Sequence, residues 1–448
     1  MNSTTSSIMA ALNLYLVTFN CGRSYIDIDA VSSQLFTGLT SPKLPDLIIL
    51  SLQEIAPIPH SLIGGSFLVP YFTRFYHAVQ KGARKHSNAT DDLPIYDPIA
   101  ARNLGMTGLM IFAKNPSCIQ DMEFGGVGVG LAEMGSKGAV GLRFKYHGEG
   151  GKFTELTFVA AHLAAMEWEV KRRNEDWKNI VRGLVFSSTG GKATTSLSAE
   201  ERPLLSISAR DAGIYKATSH LFVAGDLNYR TSSISPAPND HIETFPQPHH
   251  DASSPNHYSA LFERDQLTQE MAAKRTLQGL KEAPVTFPPT YKYTSKEPFL
   301  TPDEELTEWK WAKHRWPSWC DRILYLPIPS WLSRTSPSAE IRVEKYTALP
   351  LFPTSDHRAV AAEISVPLIE IPAPTEEELE EGGDDPRLHP PFEVDIDWKS
   401  KRDRARILEL VVGFTMYFTT TAEGGGVTLA MAVGAVGAYF AIRAMLEM

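Results

Sequence analysis

Short apolar runs separated by turn-forming residues place the strongest constraint on the fold of this chain. They cover residues 14–18, 46–52, 109–113, 156–160, 221–224, 322–326 and 359–364. Each run is bounded by Gly, Pro, Asn or Asp, as buried β-strands are. The clearest helical pattern between them, residues 164–183, ends at a glycine after a basic last turn. We therefore predict one mixed α/β (α+β) domain over residues 12–368.

Charge and cysteine content narrow the class of protein. The net charge is −9, and seven acidic residues within 376–385 supply most of it. The rest of the chain is close to neutral, which argues against a nucleic-acid partner. The three cysteines are far apart and odd in number, so neither a disulfide framework nor a zinc site is expected, and the compartment should be reducing. The N-terminus lacks the basic region and long apolar core of a secretory signal.

Two segments have the composition of surface loops. Residues 187–200 and 231–255 are rich in Ser, Thr, Gly, Pro and His and carry no apolar periodicity. We expect both to be insertions between strands.

The C-terminal part of the chain has a different composition. Residues 369–398 are acidic and Pro-rich, and predict a linker that buries no core. A basic cluster follows at 399–406, and residues 407–448 predict a membrane anchor. Within it, residues 424–442 carry no charge and would extend over roughly 28 Å as a helix, close to the hydrocarbon thickness of a bilayer. The basic cluster favours a cytosolic catalytic domain.

The earlier apolar run, residues 410–422, is too short to span a bilayer alone. Its sequence is compatible with a position at the membrane interface and with a hairpin formed with the second run. Deletion of residues 407–448 is expected to give a soluble, active enzyme.

Polar residues cluster where the apolar runs end. They are Asn20, Gln53, Glu54, His162, Asp226, Asn228, Ser355, Asp356 and His357. Because strand ends of one sheet can hold side chains in a shared cleft, we expect these residues to lie close together.

The chemistry of this set is that of oxygen ligands and neutral imidazole. Glu54, Asn20 and Asp356 suit a hard cation such as Mg²⁺. Asp226 and Asn228 are two residues apart on an extended segment, so they point the same way and can hold and deprotonate one water. The pattern indicates metal-assisted hydrolysis of a phosphate ester.

The ordered motifs of the chain resemble those of a known family. They are TFNCG, LQEIAP, GSKGAV, AAHLAA, GDLNYR, FPPTYKY, WPSWCDRIL and SDHRAV. Over residues 12–366 they are similar to the inositol polyphosphate 5-phosphatases of the Mg²⁺-dependent endonuclease/exonuclease/phosphatase superfamily. With the C-terminal tail, the chain resembles the fungal tail-anchored phosphatidylinositol 4,5-bisphosphate 5-phosphatases.

The resemblance implies a four-layer αββα sandwich of two mixed β-sheets flanked by helices, plus a C-terminal transmembrane helix. It also implies roles for site residues. Glu54 would bind Mg²⁺ with help from Asn20, and Asp356 would lie beside the metal. Asp226 and Asn228 would activate and orient the water, and His162 would contact the scissile phosphate.

The same resemblance assigns Asp321 as the partner of His357. Cys320 has no base beside it and is interpreted as core packing, and Arg322 is expected to pair with carboxylates. Whether Asp226 or the Asp321–His357 pair acts as the base stays open.

The substrate-binding residues implied by the resemblance form two groups. Tyr291, Lys292, Lys313 and Arg315 match positions that grip the neighbouring 4-phosphate. Lys137, Arg173 and Asn174 match further blocks of the cleft. The chain departs from the family pattern at three positions, with Met166 replacing a histidine, Ser136 an asparagine and Ala139 a glycine.

The predicted activity is Mg²⁺-dependent hydrolysis of the 5-phosphate of phosphatidylinositol 4,5-bisphosphate by a monomeric catalytic domain. The analogy with similar enzymes predicts an endoplasmic reticulum membrane. The alternatives are a nuclease or sphingomyelinase-like phosphodiesterase of the same superfamily, and a tethered phosphoinositide-binding scaffold.

Overall fold

A computed structural model of the chain describes residues 10–188, 211–294 and 307–446, except positions 92 and 382. Residues 1–9, for which no secretory signal is predicted, lie outside the described residues. So does most of the first predicted insertion, from residue 189 onward.

The strands include all seven predicted apolar runs. They are β1 (Ala11–Asn20), β2 (Leu47–Gln53), β3 (Asp97–Leu104), β4 (Thr107–Ala113), β5 (Ile119–Gly128), β6 (Gly138–His147), β7 (Phe153–His162), β8 (Ser187–Ser188), β9 (Ser219–Asp226), β10 (Lys281–Glu282), β11 (Asp321–Tyr325), β12 (Arg342–Leu351) and β13 (Arg358–Pro367).

The α-helices flank the strands and extend beyond them at the C-terminus. They are α1 (Ile28–Gln34), α2 (Ile58–Ile63), α3 (Val69–Ser87), α4 (Val170–Gly183), α5 (Asp240–Glu243), α6 (Tyr258–Phe262), α7 (Gln266–Ala272), α8 (Ser330–Thr335), α9 (Glu376–Glu381), α10 (Trp398–Thr420) and α11 (Ala422–Leu446).

The strands of the described residues form two mixed sheets. One sheet has the order β12-β13-β1-β2-β4-β3, and the other has the order β10-β11-β9-β7-β6-β5-β8. Strands β1 and β2 are parallel, as are β7 and β9, and the other pairs are antiparallel. The predicted mixed sheets are therefore confirmed.

Alternation along the strands builds three layers of core, and hence the four-layer sandwich. On β1, Leu14 and Leu16 face the second sheet, whereas Tyr15 and Val17 face helices α1 and α3. On the outer side of the second sheet, Trp177 and its neighbours on α4 pack against β7 and β9. Successive side chains of a strand point to opposite faces, so one run of apolar residues supplies both layers.

The predicted helix over 164–183 is shorter than its pattern indicated, because α4 begins at Val170. Met166 has a φ of 77°, which a continuing helix cannot contain. The guanidinium of Arg173 instead binds the backbone carbonyls of Ala164 and Met166 and holds the preceding residues as a loop.

The acidic segment 369–398 does bury apolar side chains, contrary to the composition argument. Ile371 and Leu388 are fully buried in a small cluster with Trp331 and Leu332 of α8. The buried guanidinium of Arg387 pairs with Asp385 beside them. Two apolar residues are enough to attach a segment that is otherwise polar.

The basic cluster and the first apolar run together form the single helix α10. It packs along α2, and its residues Ala405, Glu409 and Gly413 are buried. The carboxylate of Glu409 pairs with Arg402 and Arg406 and accepts a hydrogen bond from Gly135 N at 2.9 Å. Residues 407–420 are therefore attached to the domain, and a cut at 407 would remove part of its packing.

Helix α11 contains the predicted span 424–442. It has 25 residues, and its most apolar stretch has a mean hydropathy of 1.7 and buries nothing against the domain. Among the described residues, α11 is the helix that is long and apolar enough to cross a membrane. Nearly all its side chains are exposed, so α10 and α11 do not pair along their lengths as a hairpin would.

Candidate active site

The strand ends of both sheets surround one polar cleft with a volume of about 440 Å³. Of the predicted site residues, it is lined by Asn20, Glu54, Lys137, His162, Asp226, Asn228, Tyr291, Lys292, Asp356 and His357. The predicted convergence at strand ends is seen for the whole set except Gln53, which does not line the cleft and whose side-chain amide binds Thr18 and Ser51.

Close packing of two strands brings His162 and Asp226 together. β7 and β9 run parallel with His162 opposite Asp226. A Cβ atom added at Gly225 would lie 1.9 Å from the carbonyl oxygen of Ala161, so only glycine permits this approach. The backbone thus sets the spacing of the imidazole and the carboxylate, whose Nε2 and Oδ2 atoms are 3.4 Å apart.

Asp226 is a buried carboxylate held at both oxygens. Its Oδ2 accepts a hydrogen bond from Asn20 Nδ2 at 2.9 Å, and its Oδ1 accepts from the backbone nitrogen of Asn228 at 3.1 Å. Burial alone would raise the pKa of Asp226, but the neighbouring His162, His357 and Lys137 outweigh it and lower the pKa below its usual range. The group is ionised at neutral pH.

Behind the cleft, Asp321 fixes the orientation of His357. The His357 Nδ1 donates to Asp321 Oδ2 at 2.9 Å, and the same oxygen accepts from the hydroxyl of Thr290 at 2.7 Å. Burial lowers the pKa of His357, but the carboxylates of Asp321, Asp226 and Asp356 reverse this and raise it to about 9. Nε2 of this imidazolium faces Asp226 and Asp356, at 4.0 and 3.9 Å.

His162 differs from His357 in its charge. Burial and the nearby Lys137 both lower the pKa of His162, so its ring is neutral at pH 7. The ammonium of Lys137 donates to Nε2 of this ring. Burial also lowers the pKa of Lys137, although the carboxylates of Asp226 and Glu54 partly offset that effect. The two histidines of the cleft therefore differ in protonation.

Oxygen donors on the open side of this arrangement suit a hard divalent cation. Glu54, Asn20, Asp226 and Asp356 all line the cleft. A compact group of ligand atoms among the described residues, within 4.8 Å of one another, belongs to Asp226, Asp321 and His357. Asp321 does not line the cleft and is already bound to His357. The carboxylates and the Asn20 amide that line the cleft have the oxygen chemistry that such a cation prefers.

Comparison with protein families places this geometry in context. Residues 17–363 match the model of the endonuclease/exonuclease/phosphatase family 2. The chain belongs to this family. The match covers every strand-end residue of the cleft.

The curated relatives of this family member are inositol polyphosphate 5-phosphatases. Type II inositol polyphosphate 5-phosphatase 14 of Arabidopsis thaliana is 30% identical over 79% of this chain and 30% of its own length. Inositol-1,4,5-trisphosphate 5-phosphatase 1 of Schizosaccharomyces pombe is 29% identical over 73% of this chain and 25% of its own length. Human phosphatidylinositol 3,4,5-trisphosphate 5-phosphatase 1 is 28% identical over 62% of this chain and 20% of its own length. The chain thus spans less than a third of the length of these relatives.

A solved structure of the same family has a similar fold. It is the inositol polyphosphate 5-phosphatase domain of SPsynaptojanin in complex with inositol (1,4)-bisphosphate and a calcium ion. The TM-score is 0.56 at 23% identity, and the match covers 89% of this chain and 93% of that one. This likeness confirms the four-layer fold expected for the endonuclease/exonuclease/phosphatase family.

Two residues predicted to bind substrate lie outside the lining of the cleft in this family member. Arg173 is fully buried and binds loop carbonyls and Gln266, and burial lowers its pKa to about 10. Asn174 donates to Glu270 and accepts from the hydroxyl of Tyr229. In the structure, Arg173 supports the loop before α4, and Asn174 links α4 to α7 and to Tyr229 after β9.

The two basic residues before β11 also lie outside the cleft lining. Lys313 is exposed, and Arg315 is partly buried. The Nε atom of Arg315 is 3.6 Å from the buried carboxylate of Glu167, and its Nη2 is 3.4 Å from Met166 Sδ. Met166 occupies a position where the family usually has histidine, so a departure from the family pattern contacts a residue predicted to bind substrate.

Sequence reasoning missed two residues that shape the cleft. Arg230 binds the side-chain oxygen of Asn228 and lies over the ring of Tyr291 at 4.2 Å. Arg23 pairs with Glu54 at 2.8 Å. Both are in or beside the quoted motifs, but a basic residue at a strand end carries no signal of its direction. Ser355, which the sequence placed in the cleft, donates to the backbone oxygen of Asn20 at 2.6 Å.

Two further residues of the WCDRIL motif, Cys320 and Arg322, have structural contacts, as predicted. Cys320 is fully buried, and burial raises the pKa of its thiol well above the ordinary value. The guanidinium of Arg322 pairs with Asp265 and Glu282.

Proposed function

We propose that this chain is a membrane-anchored phosphatase that hydrolyses the 5-phosphate of phosphatidylinositol 4,5-bisphosphate to give phosphatidylinositol 4-phosphate. The observation that carries the proposal is the constellation around Asp226. An ionised carboxylate held by Asn20 and Asn228 faces one neutral and one protonated histidine in a cleft that also holds lysines. This arrangement suits attack of water on a bound phosphate.

The proposal includes Mg²⁺, which Glu54 would bind with Asn20 and Asp356. When bound, a divalent cation supplies positive charge to the phosphoryl oxygens and lowers the pKa of water. The oxygen donors of these three residues line the cleft, and they support this choice of metal.

In the proposed reaction, Asp226 accepts a hydrogen bond from the attacking water and aims it at phosphorus. Its low pKa makes it an orienting group more than a strong base. The imidazolium of His357 places a positive N–H beside the developing charge, and Asp321 keeps it protonated. Lys137 and His162 complete the contacts to the scissile phosphate.

A phosphate beside the reacting one needs cations and hydroxyls. Lys292 and Tyr291 line the cleft, and the ammonium of Lys292 pairs with Asp356. Lys313 and Arg315 are proposed to join them at the 4-phosphate. For Arg315, this requires exchange of its Glu167 contact for the substrate phosphate.

The names of the relatives support inositol phosphates or phosphoinositides as the substrate class. Helix α11 supports a lipid substrate, since an enzyme confined to the membrane surface meets lipids at a raised effective concentration. We propose the endoplasmic reticulum membrane, with a monomeric catalytic domain facing the cytosol.

Phosphate release from a panel of phosphoinositides and soluble inositol phosphates tests the proposal. We expect release from phosphatidylinositol 4,5-bisphosphate with Mg²⁺ and a loss of release with a chelator. An Asp226→Asn chain, which keeps the shape of the side chain, is the matched inactive control. Phosphate release restricted to substrates that lack a 5-phosphate, or cleavage of a phosphodiester instead, would contradict it.

A further inference from the structure

Helix α10 carries an exposed apolar stripe made of Ile407, Val411, Phe414 and Phe418. These side chains are 62%, 59%, 40% and 37% exposed. Their spacing of four, three and four residues places them on one face of the helix. A surface helix of a soluble protein carries polar residues on the side that faces water. This apolar stripe therefore favours an environment less polar than water.

The opposite face of α10 is fixed to the domain. Glu409 and Gly413 lie roughly half a turn of helix away from the stripe, and both are buried. Glu409 binds two arginines and the backbone of Gly135. A Cβ added at Gly413 would lie 3.0 Å from the Ile63 side chain and 3.2 Å from its backbone. The helix therefore cannot roll to bury its stripe against the protein.

The stripe is continuous with the candidate membrane span. Thr421, with extended backbone, is the one residue between α10 and α11. Gly424 packs against the backbone of Tyr417, and the side chains that follow on α11 leave the stripe uncovered. The stripe thus ends next to the start of the candidate span.

A series of aromatic rings connects this junction with the mouth of the cleft. Tyr417 is 5.8 Å from His60, His60 is 6.3 Å from Tyr71, and Tyr71 stacks on Tyr25 at 4.3 Å. Tyr25 is half exposed and follows Arg23 and Ser24, which line the cleft. Aromatic side chains are enriched at the membrane interface. A continuous set of ring contacts therefore joins the start of the anchor to the residues beside the cleft.

We propose that α10 lies in the plane of the membrane interface, with the apolar stripe in the boundary between headgroups and acyl chains. The occupant of the stripe is a lipid bilayer surface. A helix in this position has a charged face on one side and an apolar face of a few residues on the other. Because α10 is fixed to the domain, it holds the mouth of the cleft against the bilayer. The inference rests on the membrane anchoring proposed above.

Depth-dependent fluorescence quenching on the full chain tests this position. Single cysteines replace Val411, Phe414 or Phe418 in a background that carries Cys118→Ser, because Cys21 and Cys320 are buried. Each is labelled with an environment-sensitive dye in phosphatidylcholine vesicles whose lipids carry a quencher at shallow or deep acyl positions. Lys152→Cys is the control, because Lys152 is exposed and lies just before Phe153, at the other end of β7 from His162.

We expect shallow quenching of equal depth at the three stripe positions and no quenching at position 152. No quenching at the stripe would show that it does not meet lipid. Quenching that deepens steadily from 411 to 418 would show that α10 crosses the bilayer. Either result overturns the proposal.

Turnover supplies a second readout. Full chains with Val411→Asp and Phe414→Asp should hydrolyse the lipid substrate in vesicles several-fold more slowly and a soluble inositol phosphate at an unchanged rate. Lys152→Asp should change neither rate. An equal loss on both substrates, or no loss on vesicles, contradicts the docked orientation. If the unsubstituted chain hydrolyses neither substrate, the proposed activity fails and the quenching result alone decides the position of α10.

Discussion

Replacement of Glu409 by alanine should destabilise the domain by about 2–4 kcal/mol. The buried carboxylate accepts from Arg402 Nη1 at 2.7 Å and Nη2 at 2.9 Å, from Arg406 Nη1 at 3.2 Å, and from Gly135 N at 2.9 Å. Removal of one partner from a fully buried ion pair costs about 3–5 kcal/mol. Here Arg402 is 21% exposed and can turn to water, and Arg406 keeps its hydrogen bonds to the carbonyls of Leu62 and Ile63, which lowers the cost. The backbone N–H of Gly135 cannot turn, and an unsatisfied buried donor costs about 1–3 kcal/mol.

Thermal unfolding of the detergent-solubilised full chain measures this effect. A domain of this size shifts by about 1–2 °C per kcal/mol, so we expect Tm to fall by about 2–8 °C. Asp403→Ala is the matched control, because it removes the same charge from an exposed position of the same helix. Its effect should stay within about 0.5 kcal/mol. Equal Tm values for the two variants would refute the role of Glu409 as the link between α10 and the domain.

The remaining predictions concern catalysis and the domain boundary. Asp226→Asn should lower kcat by about 10²–10⁴-fold at unchanged Tm, and wild-type turnover would remove Asp226 from the site. Chelation of divalent cations should abolish turnover and added Mg²⁺ should restore it; full activity in chelator would contradict the cation site. A chain that ends at Thr421 should stay folded and active, whereas one that ends at Arg406 should unfold at lower temperature; equal Tm values would argue against α10 as part of the domain. With a pKa of about 9, His357 is protonated below that pH and loses its proton above it. Asp321→Asn removes the carboxylate that raises this pKa, so the alkaline limb of the pH–rate profile should move to lower pH. If the limb does not move, loss of the His357 proton is not the cause of the alkaline loss of activity.

The sequence predicts most of the central strands, with β6 as an exception, and misses the edge strands. β2 and β4 are buried at every position, and their uninterrupted apolar runs are recognisable at once. β3 and β12 are edge strands whose residues alternate between exposed and partly buried, so charged and polar side chains interrupt the pattern. β5 contains adjacent glycines and a break in its pairing with β6, which also obscures the signal.

Prediction of the candidate site from the sequence is limited for a similar physical reason. Residues at strand ends, such as His162 and Asp226, are predictable because the sheet fixes where the side chain begins. Arg173 lies on a helix, and its direction depends on the carbonyls of a loop that no local pattern describes. The contact of Glu409 with Gly135 joins residues 274 positions apart, so it follows from tertiary packing alone.

The single extended residue between α10 and α11 makes the tail exchangeable. Because the packing of α10 ends before Thr421 and α11 buries almost nothing against the domain, a different tail joined at this position would meet no catalytic residue. Under the proposed membrane anchoring, the membrane that holds the chain and the chemistry of its cleft can thus change independently. Tail exchange at this joint offers a way to send one catalytic domain to different organelles and compare the effect of the same reaction on each membrane.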